Sequence, residues 1–242
     1  MSNLDTLLSP LEPVWLSMNS ASVSILQCRY DDALETLTQV FQDEAILLAW
    51  KCRDFECRAK ESRDDRRQSQ TRHRFRKHRR ILSVTPLPVV TGGSGTDGSF
   101  LNPFSIDQHG VLYHEEGDRG RVLLCMCAVS LFNMAVAYHL KANAQCDKTR
   151  SQCDLFRQAR ALYLQADLLL RNTIEIEPNE TLMMVYMALC NNMMEIEYRL
   201  GNPIDNWTTL LADKFCLVPA RAGCPFYQHF DQVVSYHHKL QT

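Results

Sequence analysis

None of the ten cysteines forms a Cys-x-x-Cys pair: Cys125 and Cys127 stand two apart, and Cys52 and Cys57 five apart. Neither a zinc ribbon nor a disulfide framework is spelled by that spacing. Lys and Arg are missing from the opening MSNLDTLLSPLEP, which carries Asp5 and Glu12. Without the charged n-region of a secretory signal, the chain is expected to be intracellular, cytoplasmic or nuclear, with its cysteines as thiols. No apolar run is expected to approach the ~18 residues of a membrane span, so no membrane partner is expected. A composition of 45% hydrophobic and 22% charged residues excludes a chain disordered throughout. His109 and His114, and His237 and His238, lack the companions of a metal site. No nucleophile sits in an activating motif, so the expectation is a non-enzymatic protein with no catalytic residue, metal or cofactor. Gly93-Ser94-Gly95-Thr96-Asp97-Gly98 matches G-x-G-x-x-G formally. A dinucleotide site needs a helix to begin there, and Pro103, Gly110 and Gly117 forbid a continuous one, so the match reads as a turn.

Glycine and proline are absent from Val14 to Thr85, whereas seven of the nine glycines fall between 92 and 120. Long helices are therefore allowed in the first stretch and refused in the second. Charge is as unevenly placed. Residues 51–80 hold 13 of the 26 Lys+Arg and five of the 28 Asp+Glu, which makes that stretch +8 and the remainder −10 in a chain of net charge −2.

Apolar residues recur at helical spacing in two runs from Val14 to about Leu48, with a turn between Leu26 and Ala33. The second run is expected to continue past Trp50 into the basic stretch and to fray near Ser62. Residues 81–91, ILSVTPLPVVT, are β-branched, but Pro86 and Pro88 confine any strand to an edge. A second short strand is expected around Val111-Leu112-Tyr113. Helical spacing returns over 121–142, 152–175, 179–200 and 205–216, then over 225–240, where Phe226, Phe230, Val233, His237 and Leu240 share one stripe. The five methionines Met183, Met184, Met187, Met193 and Met194 suit core filling, or a soft groove wall.

Self-comparison exposes a repeat. Tyr30 is followed by Ala33, Leu37 and Val40, and Phe156 by Ala159, Tyr163 and Ala166, at +3, +7 and +10 in both. Upstream stand Asn19-Ser20-Ala21 and Asn133-Met134-Ala135-Val136-Ala137-Tyr138, and Asn192 precedes Gly201 by nine. This grammar resembles the tetratricopeptide (TPR) repeat, in which small residues let paired helices approach closely. The resemblance covers about 14–47, 128–173 and 183–217. It implies an all-α fold: one domain, 1–242, built as a stack of about three helical hairpins with a capping helix at 225–240. Residues 51–120 form an insertion holding the basic arm, 51–80, the Gly-rich loop, 92–120, and a short β-hairpin. The turn of the second copy is stretched by a surplus from Asn143 to Asp154.

The resemblance also implies a concave groove, formed from 14–26, 126–141 and 182–199, that binds an extended peptide as an interaction scaffold. Asn19, Asn133 and Asn192, with Tyr138, are the expected groove residues, because an amide offers a donor and an acceptor together to a peptide unit. The family's carboxylate clamp places cations one turn earlier. Trp15, Val129 and Ala188 stand there, so recognition of a C-terminal carboxylate is not expected. A different class of partner is nucleic acid, bound by the basic arm 63–80 through Arg66, Arg67, Arg72, Arg74, Arg76, Lys77, Arg79 and Arg80, with the helices as scaffold. The arm also has the charge to fold back on the acidic body. Ser69 and Ser83, each close behind a pair of arginines, are candidate phosphorylation sites that would oppose such docking.

Overall fold

The computed structural model describes residues 12–42, 84–87, 100–106, 119–145, 150–176, 180–215 and Phe230. Among these lie six helices, α1 (Glu12–Leu26), α2 (Tyr30–Gln42), α3 (Arg119–Ala144), α4 (Arg150–Ile176), α5 (Glu180–Leu200) and α6 (Asp205–Phe215). Two three-residue strands, β1 (Val84–Pro86) and β2 (Phe104–Ile106), fall between α2 and α3. The described part is mostly helical, as the spacing predicts.

In α1, Val14, Met18, Ala21 and Ile25 recur at helical spacing and are all buried. One residue round the helix runs a second stripe, Trp15, Asn19 and Ser22, whose polar atoms point elsewhere. In α2 the buried set is Ala33, Leu34, Leu37 and Val40, and Asp31 and Asp32 lie in the first turn, where the helix dipole favours them. The α1–α2 turn closes by the same two bonds as the α5–α6 turn. Cys28 N donates to Ile25 O and Arg29 N to Ser24 O; Gly201 N donates to Tyr198 O and Asn202 N to Glu197 O. Cys28 and Gly201 both take positive φ, 58° and 74°. Each follows its asparagine, Asn19 or Asn192, by nine residues, so the first and third hairpins turn alike; the non-glycine at 28 holds a left-handed conformation that glycine adopts freely.

Helix α3 is apolar on nearly every side and is buried accordingly. Its Val122–Ala144 stretch is long and apolar enough to cross a membrane by length and composition, a correction to the expectation that no segment approaches that; 83% of the window is buried inside the protein. Each helix packs on the next in sequence, and α3 also touches both α1 and α5. The ribbon lies on α1, α3 and α5: β2 on α1 and α3, β1 on α5. Ala135 and Ala159 are fully buried, and α3 and α4 pack closely along their length. Arg160 Nε donates to the buried Glu197 carboxylate, tying α4 to α5.

Two boundaries differ from expectation. The surplus between Asn143 and Asp154 is partly helical, since α3 runs to Ala144 and α4 begins at Arg150. Gln152 Nε2 reaches back to the Ala142 and Gln145 carbonyls, closing the turn. The described second strand is Phe104–Ile106, earlier than 111–113, which lies outside the described residues. So do the continuation of α2 past Gln42 and the 225–240 cap, apart from the buried Phe230.

His139 sits on α3 against the rings of Phe156 and Tyr163, both edge-on at 5.6 and 6.4 Å. It is fully buried, neither ring nitrogen has a hydrogen-bond partner among the described residues, and burial, with Arg199 adding repulsion, pushes its pKa down to about 3. The folded protein therefore keeps it neutral while the unfolded chain takes up a proton below about 6.5. Stability from this group is intact above that pH and is lost as pH falls toward 3, by about 2 kcal/mol between pH 7 and 5. Urea unfolding of the wild type and His139→Leu at those two pH values should show this component only in the wild type; equal pH dependence of the two would contradict it.

Candidate functional site

Strand β2 is paired on one edge only by backbone. Val84, Thr85 and Pro86 oppose Ile106, Ser105 and Phe104 in antiparallel register, and Leu87 N donates to Pro103 O at 2.9 Å. In such a ladder alternate residues face the partner, so Pro103 and Ser105 turn toward β1 while Phe104 and Ile106 present their N–H and C=O to the opposite side. Helices α1 and α3 lie there, and a helix has no free backbone edge to offer. Asparagine side chains take that role.

Asn133 Oδ1 accepts from Phe104 N at 2.9 Å, and its Nδ2 donates to Phe104 O at 2.8 Å. Asn19 does the same one step along: Oδ1 accepts from Ile106 N at 2.9 Å and Nδ2 donates to Ile106 O at 3.0 Å. The two amides thus grip residues spaced roughly 7 Å apart along the strand. Neighbours complete the acceptors. Trp15 Nε1 donates to Ile106 O at 2.6 Å. Ser22 Oγ lies 3.1 Å from Phe104 O and accepts the second Nδ2 hydrogen of Asn133 at 3.0 Å. The third amide is half used. Asn192 Nδ2 donates to Phe100 O at 2.8 Å and to Tyr163 Oη at 2.9 Å. Asn192 is fully buried, and its Oδ1 has no partner among the described residues. A buried acceptor left in that state costs about 1–3 kcal/mol.

The segment's side chains continue the core. Phe104 and Ile106 are 1% and 2% exposed, with Ser105 half-buried between them. Rings run from Phe230 to Phe100 at 5.7 Å, to Phe104 at 6.0 Å, to Phe132 at 5.3 Å and to Tyr163 at 5.6 Å between centroids. The ring contacts therefore pass from the segment through α3 into α4. Residues 100–106, FLNPFSI, hold no charge, and Trp15, Asn19, Ser22, Asn133 and Asn192, which meet the backbone of Phe100, Phe104 and Ile106, are neutral as well. Burial pushes the Cys127 thiol up to about 12 and the Cys190 thiol up as well. Both stay protonated near neutral pH, which removes them as thiolate nucleophiles. Among the described residues no group of three or more His, Cys, Asp or Glu is placed to hold a metal ion.

The structure thus brings Asn19, Asn133 and Asn192 to one extended segment, from α1, α3 and α5. Tyr138 lies five residues beyond Asn133, about 140° around the helix at 100° per residue, half-buried against the core. The arginines and Lys77 of the basic arm, with Ser69 and Ser83, lie outside the described residues. Two backbone-reading residues escaped the sequence reading. Trp15 stands where the family's clamp has a cation and gives no other signal in sequence, and Ser22 completes the 15-19-22 stripe that helical spacing makes visible. The occupant escaped too: an aromatic-Ser-aliphatic alternation inside a Gly- and Pro-rich stretch was the available signal. Comparison with protein-family models, with curated proteins and with solved structures finds no match for this chain.

Asn133→Ala leaves the Phe104 N–H buried and unpaired, which is expected to cost about 2–4 kcal/mol in urea unfolding. Asn19 is only half-buried and Ile106 O keeps Trp15, so Asn19→Ala should cost about 1 kcal/mol. Equal costs, or the reverse order, would contradict the pairing described.

Proposed function

We propose that this chain is a non-catalytic, TPR-like interaction module whose inner helix layer binds an extended peptide by its backbone. One observation carries the reading: Asn19 and Asn133 each hold both the N–H and the C=O of one residue, Ile106 and Phe104, two residues apart on an extended segment. A bidentate amide selects extended backbone, because a helical ligand would keep those groups for itself. Side-chain preference comes from the apolar pockets that Phe104 and Ile106 fill. The shared turn geometry at Cys28 and Gly201 and the alternation of inner and outer helices support the repeat reading. A groove of this kind recruits partners and needs no chemistry of its own.

Panning a displayed-peptide library over the full-length protein carrying Phe104→Ser and Ile106→Ser, which weakens the resident segment, tests this. The expected binders carry apolar residues at alternate positions and lose most of their affinity, tenfold or more, when Asn133→Ala is added. No enrichment on the folded variant, or binders indifferent to both Asn19→Ala and Asn133→Ala, would contradict the proposal.

A further inference from the structure

The segment that fills the groove belongs to the chain itself, and it is an incomplete ligand. Its backbone meets both the oxygen and the nitrogen of two of the three side-chain amides and leaves Asn192 Oδ1 buried with no donor among the described residues. It enters from far away in sequence, pairing across 87 residues with Asn19 and 29 with Asn133. Backbone pairing adds a ribbon three residues long, whose other strand ends in a proline, and the rest of its hold is apolar, with Phe104 and Ile106 1% and 2% exposed. Trp15, Asn19, Ser22, Asn133 and Asn192, which meet the backbone of Phe100, Phe104 and Ile106, are neutral side chains, and the positions one turn before the asparagines are Trp15, Val129 and Ala188. A free carboxylate would find no cation there. Apolar side chains, in contrast, find deep positions at 100, 104 and 106.

We infer that residues 100–106 act as a cis-competitor, and that the partner displacing them is an uncharged, extended, internal segment of another protein with aromatic residues four apart followed by an aliphatic one two further on. This rests on the groove reading proposed above and adds to it both the ligand chemistry and its control. A partner segment that also donates an N–H to Asn192 Oδ1 makes one hydrogen bond more than the resident segment does. Binding in trans is weakened by the fraction of molecules whose groove is already filled, so any change that draws 100–106 out strengthens it by the same factor. The occupant comes from the insertion but is not its basic arm, so control by charge on the arm acts only through the segment's release.

The test titrates a labelled peptide, SFLNPFSID, copied from residues 99–107, into the full-length wild type and into Phe104→Ser/Ile106→Ser. The expected result is binding to the variant at least tenfold tighter than to the wild type, lost with a scrambled peptide. If library peptides bind the variant and the wild type equally well, the groove reading stands and cis competition is overturned. If neither SFLNPFSID nor any library peptide binds the folded variant, both fall. A concentration-dependent dimer in which the segment enters a second copy instead of yielding to the peptide also overturns the proposal. Should the variant fail to fold, amide exchange on the wild type decides. Exchange of the Phe104 and Ile106 amides at least tenfold faster than the slowest amides of α3 supports release of the segment, and exchange only at the rate of those core amides overturns it.

Discussion

An extended segment buried against helices has nowhere to place its outward-facing backbone groups, and the structure depends on how that constraint is met. Helices consume their own N–H and C=O groups, so they cannot extend a β-ladder. Here the amides of Asn19 and Asn133 stand in for the missing strand, with donor and acceptor presented side by side to Ile106 and Phe104. The arrangement requires α1 and α3 to be held in step, because the two amides must match the two-residue repeat of the strand. Close packing of the successive helices supplies that spacing.

The same segment links the groove to the interior. Phe104 meets Phe132 edge-on, Phe132 meets Tyr163, and the Tyr163 hydroxyl accepts from Asn192. Burial raises the Tyr163 pKa, and Asn192 moderates the effect. The hydroxyl therefore stays neutral, in keeping with a site built without charge. Residues 100–106 and α4 are thus in contact through a short series of rings and one hydroxyl.

Much of this was legible in the residues. Helical spacing over 121–142, 152–175, 179–200 and 205–216 falls within a few residues of α3 to α6, because α4 to α6 carry apolar stripes and α3 is apolar on nearly every side. The three asparagines could be picked out because a repeat marks equivalent positions even when their partner is unknown. Three features were not legible. The strand at 104–106 is too short to show a period, and the side chains that hold its backbone lie 29 to 91 residues away, beyond the reach of any local pattern. Trp15 reads as an apolar residue until its indole N–H meets a carbonyl. His139 sits among apolar neighbours where a histidine gives no signal in sequence that both its nitrogens are enclosed.

The most direct test of the central claim is to detect the amide-to-backbone hydrogen bonds themselves, by nuclear magnetic resonance of the deuterated full-length protein with labelled asparagine side chains. The account predicts measurable scalar coupling across the hydrogen bond from the Phe104 amide nitrogen to the Asn133 side-chain carbonyl carbon, and from the Ile106 amide nitrogen to that of Asn19. Absence of both couplings, with couplings across the helical hydrogen bonds of α3 detected in the same experiment, would contradict it.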